Sequence, residues 1–188
     1  MTSWTTLPDT TLAQDKPVTQ SVMRALRDNP VAIGEAAPSA PRSAAASIDS
    51  PYFLASRATA QINLGSSGIK VQCNIEDYDP DSLYDASTYR FTPNKPGLYF
   101  VGAYLEGTNG GTANVRICSD LRKNGSTFAL TRGAEAAANR PVSVQSGVIV
   151  QMNGTTDFLE SFVFFAGDVS GACSLSAARF WAYQLCEA

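Results

Sequence analysis

The stretch Asp85-Ala-Ser-Thr-Tyr-Arg-Phe-Thr-Pro-Asn-Lys-Pro-Gly-Leu-Tyr-Phe100 decides the interpretation of the fold. Its last residues begin a mostly apolar run from Leu98 to Leu105, for which a β-strand is predicted. Similar runs occur on both sides, at Ala58–Leu64, Ile69–Ile75, Val115–Arg122, Val142–Met152, Phe158–Phe165 and Leu175–Leu185. The first two are predicted to pair. About eight antiparallel strands in roughly 137 residues favour a two-sheet sandwich over a repeat array.

Alternation within these strands predicts which side chains face the core. Val115, Ile117 and Leu121 share one face of their strand, and the apolar residues Val142, Val144, Val148, Val150 and Met152 share one face of the next. Segment 158–165 has large apolar residues at both parities, which predicts a strand buried on both faces. Three Asn-Gly pairs, Asn109-Gly110, Asn124-Gly125 and Asn153-Gly154, each predict a tight hairpin.

The opening stretch resembles the most recognisable segment of complement-globular-head and tumour-necrosis-factor-like jelly rolls. In that family a strand ending in Phe-x-x-Pro leads through a glycine turn to Leu/Val-Tyr-x-Phe, matched here by Phe91, Pro93, Gly97, Leu98, Tyr99 and Phe100. Residues 121–125 resemble its Arg/Lys-Asn-Gly hairpin and 180–185 its last core strand, whereas 152–157 depart from its Leu-x-x-Gly-Asp turn. The resemblance covers about residues 55–186. It implies a ten-stranded, generally trimeric jelly roll and no particular ligand.

Residues 1–50 differ in character and are interpreted as an N-terminal anchoring arm and linker, with the jelly roll at 51–188. Pro17 and the apolar spacing that follows predict a short amphipathic helix at about residues 17–28. Asn29-Pro30 should end it, and the Ala- and Pro-rich stretch 31–51 should be extended. The predicted fold class is therefore all-β, an antiparallel jelly-roll sandwich with a short helical or extended arm.

The arm has a resemblance of its own, carried by Trp4, Pro8-Asp9, Pro17-Val18-Thr19, Met23, Ala25-Leu26-Arg27-Asp28-Asn29-Pro30, Ala32 and Ala40-Pro41-Arg42. These residues resemble the N-terminal segment of several structural proteins of tailed phages and gene-transfer particles. The resemblance implies a virion protein, assembled in the bacterial cytoplasm, that docks on other capsid or tail proteins. The docking residues expected on the arm are Trp4, Leu7, Val18, Val22, Met23 and Leu26.

Composition excludes several function classes. The chain has no histidine, which removes Ser-His-Asp and Cys-His nucleophiles and His-ligated zinc. Its 14 Lys and Arg are scattered singly and the net charge is −3, so no basic stripe is available for nucleic acid. No apolar run is long enough for membrane insertion, and the N-terminus does not read as a secretory signal. We therefore expect no export by the general route.

An acidic loop offers the metal and glycan candidates. Asp77, Asp79 and Asp81 alternate along it and are the calcium candidate, although their spacing does not fit an EF-hand and a solvated loop is the alternative. No other cofactor is expected. Tyr78 and Tyr84 flank these acids and are the candidates for stacking on a glycan.

The four cysteines, Cys73, Cys118, Cys173 and Cys186, are expected to be free thiols, because nothing in the sequence directs export to an oxidising compartment. Cys173 and Cys186 should lie at opposite ends of one strand, roughly 40 Å apart and beyond bridging reach.

Three functions compete. The leading hypothesis is a particle-surface protein, namely a head or tail spike, fibre or decoration subunit. It would form a homotrimer, or a pentamer at a capsid vertex, and would display the jelly roll for attachment to host surface polysaccharide. The alternatives are a free lectin-like module and a carbohydrate-degrading enzyme that uses Asp and Glu, for which no fixed carboxylate pair can be identified.

Overall fold

A computed structural model describes residues 5–7, 19–34, 50–168 and 170–187 of the chain. The chain divides into two compact units, residues 1–50 and 51–188. The first unit contains one described helix, α1 (Gln20–Gly34). Within the described ranges, no helical stretch combines the length and the hydropathy that crossing a bilayer would require.

Helix α1 runs through the point at which it was expected to end. Thr19 caps its first turn, where the Thr19 hydroxyl accepts from the backbone N–H of Val22 at 3.4 Å. Pro30 lies inside the helix instead of after it, although proline removes a backbone donor and restricts the residue before it. The Asn29 side chain forms two bonds of 3.0 Å with the backbone N–H and carbonyl of Thr5. The expected end of the helix at Asn29-Pro30 is therefore wrong, and the two bonds connect the helix to residue 5.

The second unit consists of two antiparallel sheets. Its strands are β1 (Tyr52–Ser56), β2 (Gln61–Leu64), β3 (Ile69–Lys70), β4 (Ile75–Tyr78), β5 (Tyr84–Asp85), β6 (Arg90–Phe91), β7 (Pro96–Thr108), β8 (Val115–Lys123), β9 (Ser126–Ala136), β10 (Pro141–Asn153), β11 (Leu159–Ala166) and β12 (Cys173–Glu187). Sheet A has the order β10-β7-β12-β1-β4, with β2 on β12; sheet B has the order β5-β6-β11-β8-β9, with β3 on β11. The predicted all-β antiparallel sandwich with a short N-terminal helix is confirmed.

The predicted pairing of segments 58–64 and 69–75 is wrong. Segments 58–64 and 69–75 contribute β2 to sheet A and β3 to sheet B, so they do not pair with each other. The Gln61 side chain links them instead: it donates to the Lys70 carbonyl at 3.0 Å and accepts from the Gln72 backbone N–H at 3.3 Å. A side chain therefore joins the two sheets where a backbone ladder was expected.

Only one of the three Asn-Gly pairs forms a tight hairpin. Asn124 and Gly125 have φ values of 52° and 79° and connect β8 to β9 in a two-residue turn. The other two pairs lie between strands of different sheets. Their asparagine side chains hold the loop backbone: Asn109 donates to the carbonyls of residues 113 and 136, and Asn153 accepts from the N–H groups of residues 155–157. Side-chain caps of this kind suit wide inter-sheet loops as well as hairpins.

The core lies between the sheets, and the predicted inward faces are confirmed. Val115, Ile117 and Leu121 are buried, as are Val142, Val144 and Met152, with Val148 and Val150 packed at the core margin. β11 differs from expectation. Its inward residues 159, 163 and 165 are buried, but its outward phenylalanines 162 and 164, and Phe158 just before the strand, are half-buried. Arg122 and Arg90 cover two of these rings, with Cζ to centroid distances of 3.7 Å to Phe162 and 4.2 Å to Phe158.

A buried carboxylate ties the strands of sheet B together. Glu160 on β11 has a side chain that is only 3% exposed, and its Oε1 atom lies 2.6 Å from Lys70 Nζ on β3 and 2.9 Å from Arg90 Nε on β6. Burial raises the pKa of this carboxyl, but the hydrogen bonds from Lys70 and Arg90 together outweigh that effect and the pKa is lowered. Glu160 is therefore ionised at neutral pH and connects three strands.

The thiols differ in accessibility. Cys73, Cys118 and Cys173 are buried, Cys186 is exposed, and all four are free. Burial raises the pKa of Cys73 to about 12 and that of Cys173 to about 11. Cys173 and Cys186 both lie on β12, near its two ends.

Replacing Glu160 by Gln should lower the free energy of unfolding at pH 7 by about 1–3 kcal/mol, because two cations lose their charged acceptor. The folded-state pKa of Glu160 lies below the ordinary value of 4.5, so the difference in unfolding free energy from wild type should be full above pH 4.5 and should be lost as the pH falls through that lower pKa. Urea unfolding at several pH values measures this. Glu135→Gln is the matched control, since its pair with Arg116 is half-exposed and should contribute less than about 1 kcal/mol. Equal effects for both variants would contradict the structural role of Glu160.

We expect a single rapidly reacting thiol in the native protein. A disulfide-exchange reagent should find four thiols in the denatured, unreduced protein but only Cys186 reacting rapidly in the native protein, because thiolate formation at the buried sites is suppressed. Cys186→Ser should abolish the rapid phase. Two or fewer thiols after denaturation would show that disulfides form.

Candidate interaction surface

The outer face of sheet A, turned away from the core, carries a continuous set of large apolar side chains. We call it the aromatic face and define it as Tyr52, Leu54, Leu98, Phe100, Ile149, Trp181, Tyr183 and Leu185. Strand register aligns its members across the sheet: Ile149 lies opposite Phe100, Phe100 opposite Tyr183, and Tyr183 opposite Tyr52. Directly opposed residues of neighbouring strands pack against one another, so these side chains form one surface.

Two glycines make this surface flat. A Cβ atom at Gly102 would lie 2.4 Å from Cζ2 of Trp181, so the indole lies directly on the glycine backbone. A Cβ atom at Gly147 would similarly lie 2.8 Å from Cζ of Phe100. The Phe100 and Tyr183 rings follow, with centroids 5.5 Å apart and planes tilted by 40°. The absence of side chains at both glycines lets the rings lie down across the strands.

The aromatic face is open to solvent in the single chain. Ile149 is 56% exposed and Tyr183 is 45% exposed, with Tyr52, Leu185 and Leu98 close behind. Single exposed apolar residues are common, but contiguous patches of aromatic residues mark interaction sites. The arrangement is therefore suited to covering by another protein surface.

Polar groups border the aromatic face. Beyond the aromatic face, one row of paired positions across the sheet is polar. It runs from Gln145 through Tyr104 and Arg179 to Ser56, each opposite the next. The Tyr104 hydroxyl donates to Glu106 Oε2 at 2.6 Å, and this hydrogen bond raises the pKa of the phenol. An apolar centre with a polar rim is the usual composition of a protein–protein interface.

The two tyrosines predicted to bind glycans are not brought together. Tyr84 is buried: its hydroxyl donates to the Cys73 carbonyl at 2.7 Å, and its ring stacks on Phe53 with centroids 5.0 Å apart. Burial strongly raises its pKa. Tyr78 is 65% exposed at the end of edge strand β4, opposite Leu54, and so borders the aromatic face. Tyr84 cannot contact a ligand because it belongs to the core.

The acidic loop does not assemble a calcium site. Asp79 points at its own backbone, where its carboxylate accepts from the N–H groups of Leu83 at 3.0 Å and Tyr84 at 2.7 Å. Asp77 lies on β4, and Asp81 follows in the turn. Within the described ranges, no group of three acidic or cysteine residues is placed to hold a metal ion. Asp79 is therefore a turn-capping residue.

The predicted docking residues of the arm are only partly visible. Trp4 and Val18 lie outside the described residues. Leu7 is half-buried and Val22 is buried, whereas Met23 and Leu26 on α1 are 58% and 60% exposed. Of the predicted docking residues that the structure describes, Met23 and Leu26 are thus the ones most available to a partner.

Sequence reasoning overlooked the aromatic face, although a signal was present. Residues 98–104 carry large apolar side chains at both parities of their strand, and 180–185 do so through Phe180 on one parity and Trp181, Tyr183 and Leu185 on the other. The same pattern occurs at 158–165, where arginines cover two of the three outward rings. Both-face apolar strands at the centre of a sheet indicate a second covered surface.

The chain was compared with protein families, with curated proteins and with solved structures. No protein-family model matches the chain, and no curated protein matches it. Among solved structures, the globular domain of zebrafish complement 1qA protein is similar, with a TM-score of 0.56 and 17% sequence identity over 74% of this chain and 100% of that domain. A likeness at this identity establishes the fold and not the ligand. The chain therefore has a jelly-roll fold similar to that of a complement C1q globular domain, as the stretch around Phe91 and Tyr99 indicated.

Proposed function

We propose that this protein is a non-enzymatic structural and binding protein whose jelly roll self-associates through the aromatic face. The observation that carries the proposal is the flat, solvent-exposed row from Ile149 through Phe100 and Tyr183 to Tyr52. Burying large apolar side chains contributes about 1.5–3 kcal/mol each when burial is complete. Several half-exposed members on each subunit therefore supply a substantial driving force for association.

A closed homotrimer is the assembly we favour. Jelly rolls of this kind are generally trimeric, and a face turned toward a threefold axis is buried on every copy without leaving an open end. Fivefold packing at a capsid vertex is the alternative, because docking to a particle can impose the symmetry of the site.

We infer further that the arm docks the assembly to a phage-like particle as a spike, fibre or decoration subunit. Two features support this: the resemblance of residues 1–42 to phage structural proteins, and the exposed apolar side chains of Met23, Leu26 and Val31 on α1. Other capsid or tail proteins are the partners, and assembly would take place in the bacterial cytoplasm. The jelly roll would then be displayed outward to host surface polysaccharide.

The self-association proposal predicts a change of mass. At micromolar concentration the full-length protein should have three times the mass of the chain in light scattering, and Ile149→Lys with Tyr183→Lys should yield monomers, because two desolvated charges per subunit oppose burial. Leu130→Lys is the control, since Leu130 is 44% exposed on the other sheet, opposite Asp120. A wild-type monomer would overturn the proposal, as would dissociation by Leu130→Lys alone.

The docking proposal predicts a loss of incorporation. Deleting residues 1–45 should leave the jelly roll folded but absent from purified particles, and Met23→Asp with Leu26→Asp should have the same effect in the full chain. Arg24→Gln, on the same helix, should be incorporated normally. Normal incorporation of the truncated protein, measured by quantitative mass spectrometry of particles, would show that the arm is not the anchor.

A further inference from the structure

A hollow beside sheet B carries polar and aromatic side chains that self-association and docking leave unused. It is lined by residues from β3 and the segment after it, from the turn between β5 and β6 and from the start of β6: Lys70, Gln72, Ser87, Thr88, Tyr89 and Arg90. We propose that this hollow binds a neutral saccharide, with Tyr89 as the stacking residue. This hollow differs from the saccharide site expected at Tyr78 and Tyr84; it deepens the proposed display to host surface polysaccharide, although binding here requires neither the oligomer nor the arm.

The backbone of Tyr89 is the first observation that supports the proposal. Its φ is 57°, in the left-handed region that aromatic residues rarely adopt. The turn holds it there through a hydrogen bond of 2.6 Å from its N–H to the Asp85 carbonyl. Gly or Asn would fit this conformation with less strain. An unfavourable backbone combined with a half-buried ring at the edge of a hollow indicates that the ring itself is needed there.

The hydroxyl groups of the hollow are fixed in orientation. The Ser87 and Thr88 hydroxyls donate to the two oxygens of Asp85 at 2.6 and 2.7 Å, and these bonds hold the pKa of that carboxyl far below its ordinary value. Each hydroxyl oxygen therefore keeps its lone pairs as acceptors for a ligand. Pre-oriented acceptors favour a ligand that carries several hydroxyl donors.

The charges of the hollow favour a neutral ligand over an anion. Lys70 and Arg90 both contact the buried carboxylate of Glu160, and Asp85 supplies a second carboxylate beneath the hydroxyls. Two cations and two carboxylates carry no net charge, so the hollow offers little attraction to a sulfate or phosphate group. Arg90 remains 42% exposed and can still donate toward the hollow.

These features together match the chemistry of a hexopyranose. Such a sugar has an apolar face of C–H groups that can pack on an aromatic ring, and hydroxyls around its edge that both donate and accept. Tyr89 supplies the ring, Gln72 and Arg90 supply planar polar groups, and the two hydroxyls supply acceptors. A shallow hollow with few contacts implies weak binding at each site, and repetition in an oligomer would raise the avidity.

Saturation-transfer NMR on the full-length protein tests the proposal with three probes: the methyl glycosides of glucose, galactose and mannose. At least one should bind with a millimolar dissociation constant. Tyr89→Asn should weaken it at least tenfold while leaving the melting temperature equal or higher, because the backbone strain is relieved. Tyr89→Trp, which keeps a ring, should retain binding, and Gln72→Ala should weaken it without touching the strained residue. Tyr78→Ala, on the other sheet, is the control and should bind normally.

Several outcomes would overturn the inference. These are no saturation transfer to any of the three glycosides, displacement of a bound glycoside by millimolar sodium sulfate, or loss of binding in Tyr78→Ala but not in Tyr89→Asn. A lower melting temperature with unchanged affinity in Tyr89→Asn would show that Tyr89 is purely structural. Light scattering on the same variants separates this result from self-association, which Tyr89→Asn should leave intact.

Discussion

The ladder between β7 and β12 is the constraint on which the rest of the structure depends. It pairs residues from Gly97 with Glu187 to Thr108 with Ser174 at the centre of sheet A. Side chains alternate between its two faces, so Tyr99 and Phe180 enter the core while Phe100 and Tyr183 form the outer face. A slip of one residue would exchange the two sets. The register of this one strand pair thus determines both which side chains form the core and which form the surface proposed to be buried between subunits.

Much of this arrangement could be predicted from the sequence, because the decisive signals are local. Alternation within single strands identified the inward residues of β8 and β10, and the Phe91–Phe100 segment identified the type of jelly roll. Which strands pair with each other was harder to predict. Segments 58–64 and 69–75 have ordinary strand patterns, and their separation into two sheets depends on pairing with β12 and β11, which lie about a hundred residues away. Helix α1 likewise continues past Pro30, and its Asn29 side chain bonds to Thr5, a contact across 24 residues that no local pattern predicts.

The candidate sites were likewise hard to predict where they depend on contacts between residues far apart in the sequence. The spacing of the acidic loop could not show that Asp79 caps its own turn, nor could the position of Tyr84 show that its hydroxyl reaches Cys73. Both depend on where the loop lies against the sandwich. The hollow at Tyr89 was equally hidden, because its walls come from two separate stretches and its strained backbone has no signature in the sequence. By contrast, the aromatic face could have been found from the apolar residues at both parities of β7 and β12.

The outer faces of the two sheets should respond differently to added salt. The aromatic face contains mainly carbon surface, and kosmotropic salts strengthen the burial of such surface. The outer face of sheet B holds ion pairs, but its main carboxylate, Glu160, is almost fully enclosed and is therefore little affected by mobile ions. Kosmotropic salts should therefore strengthen the proposed contact between subunits while leaving the buried carboxylate of each subunit nearly unaffected. A molecule built in this way keeps its internal charge pairing through abrupt changes of salinity.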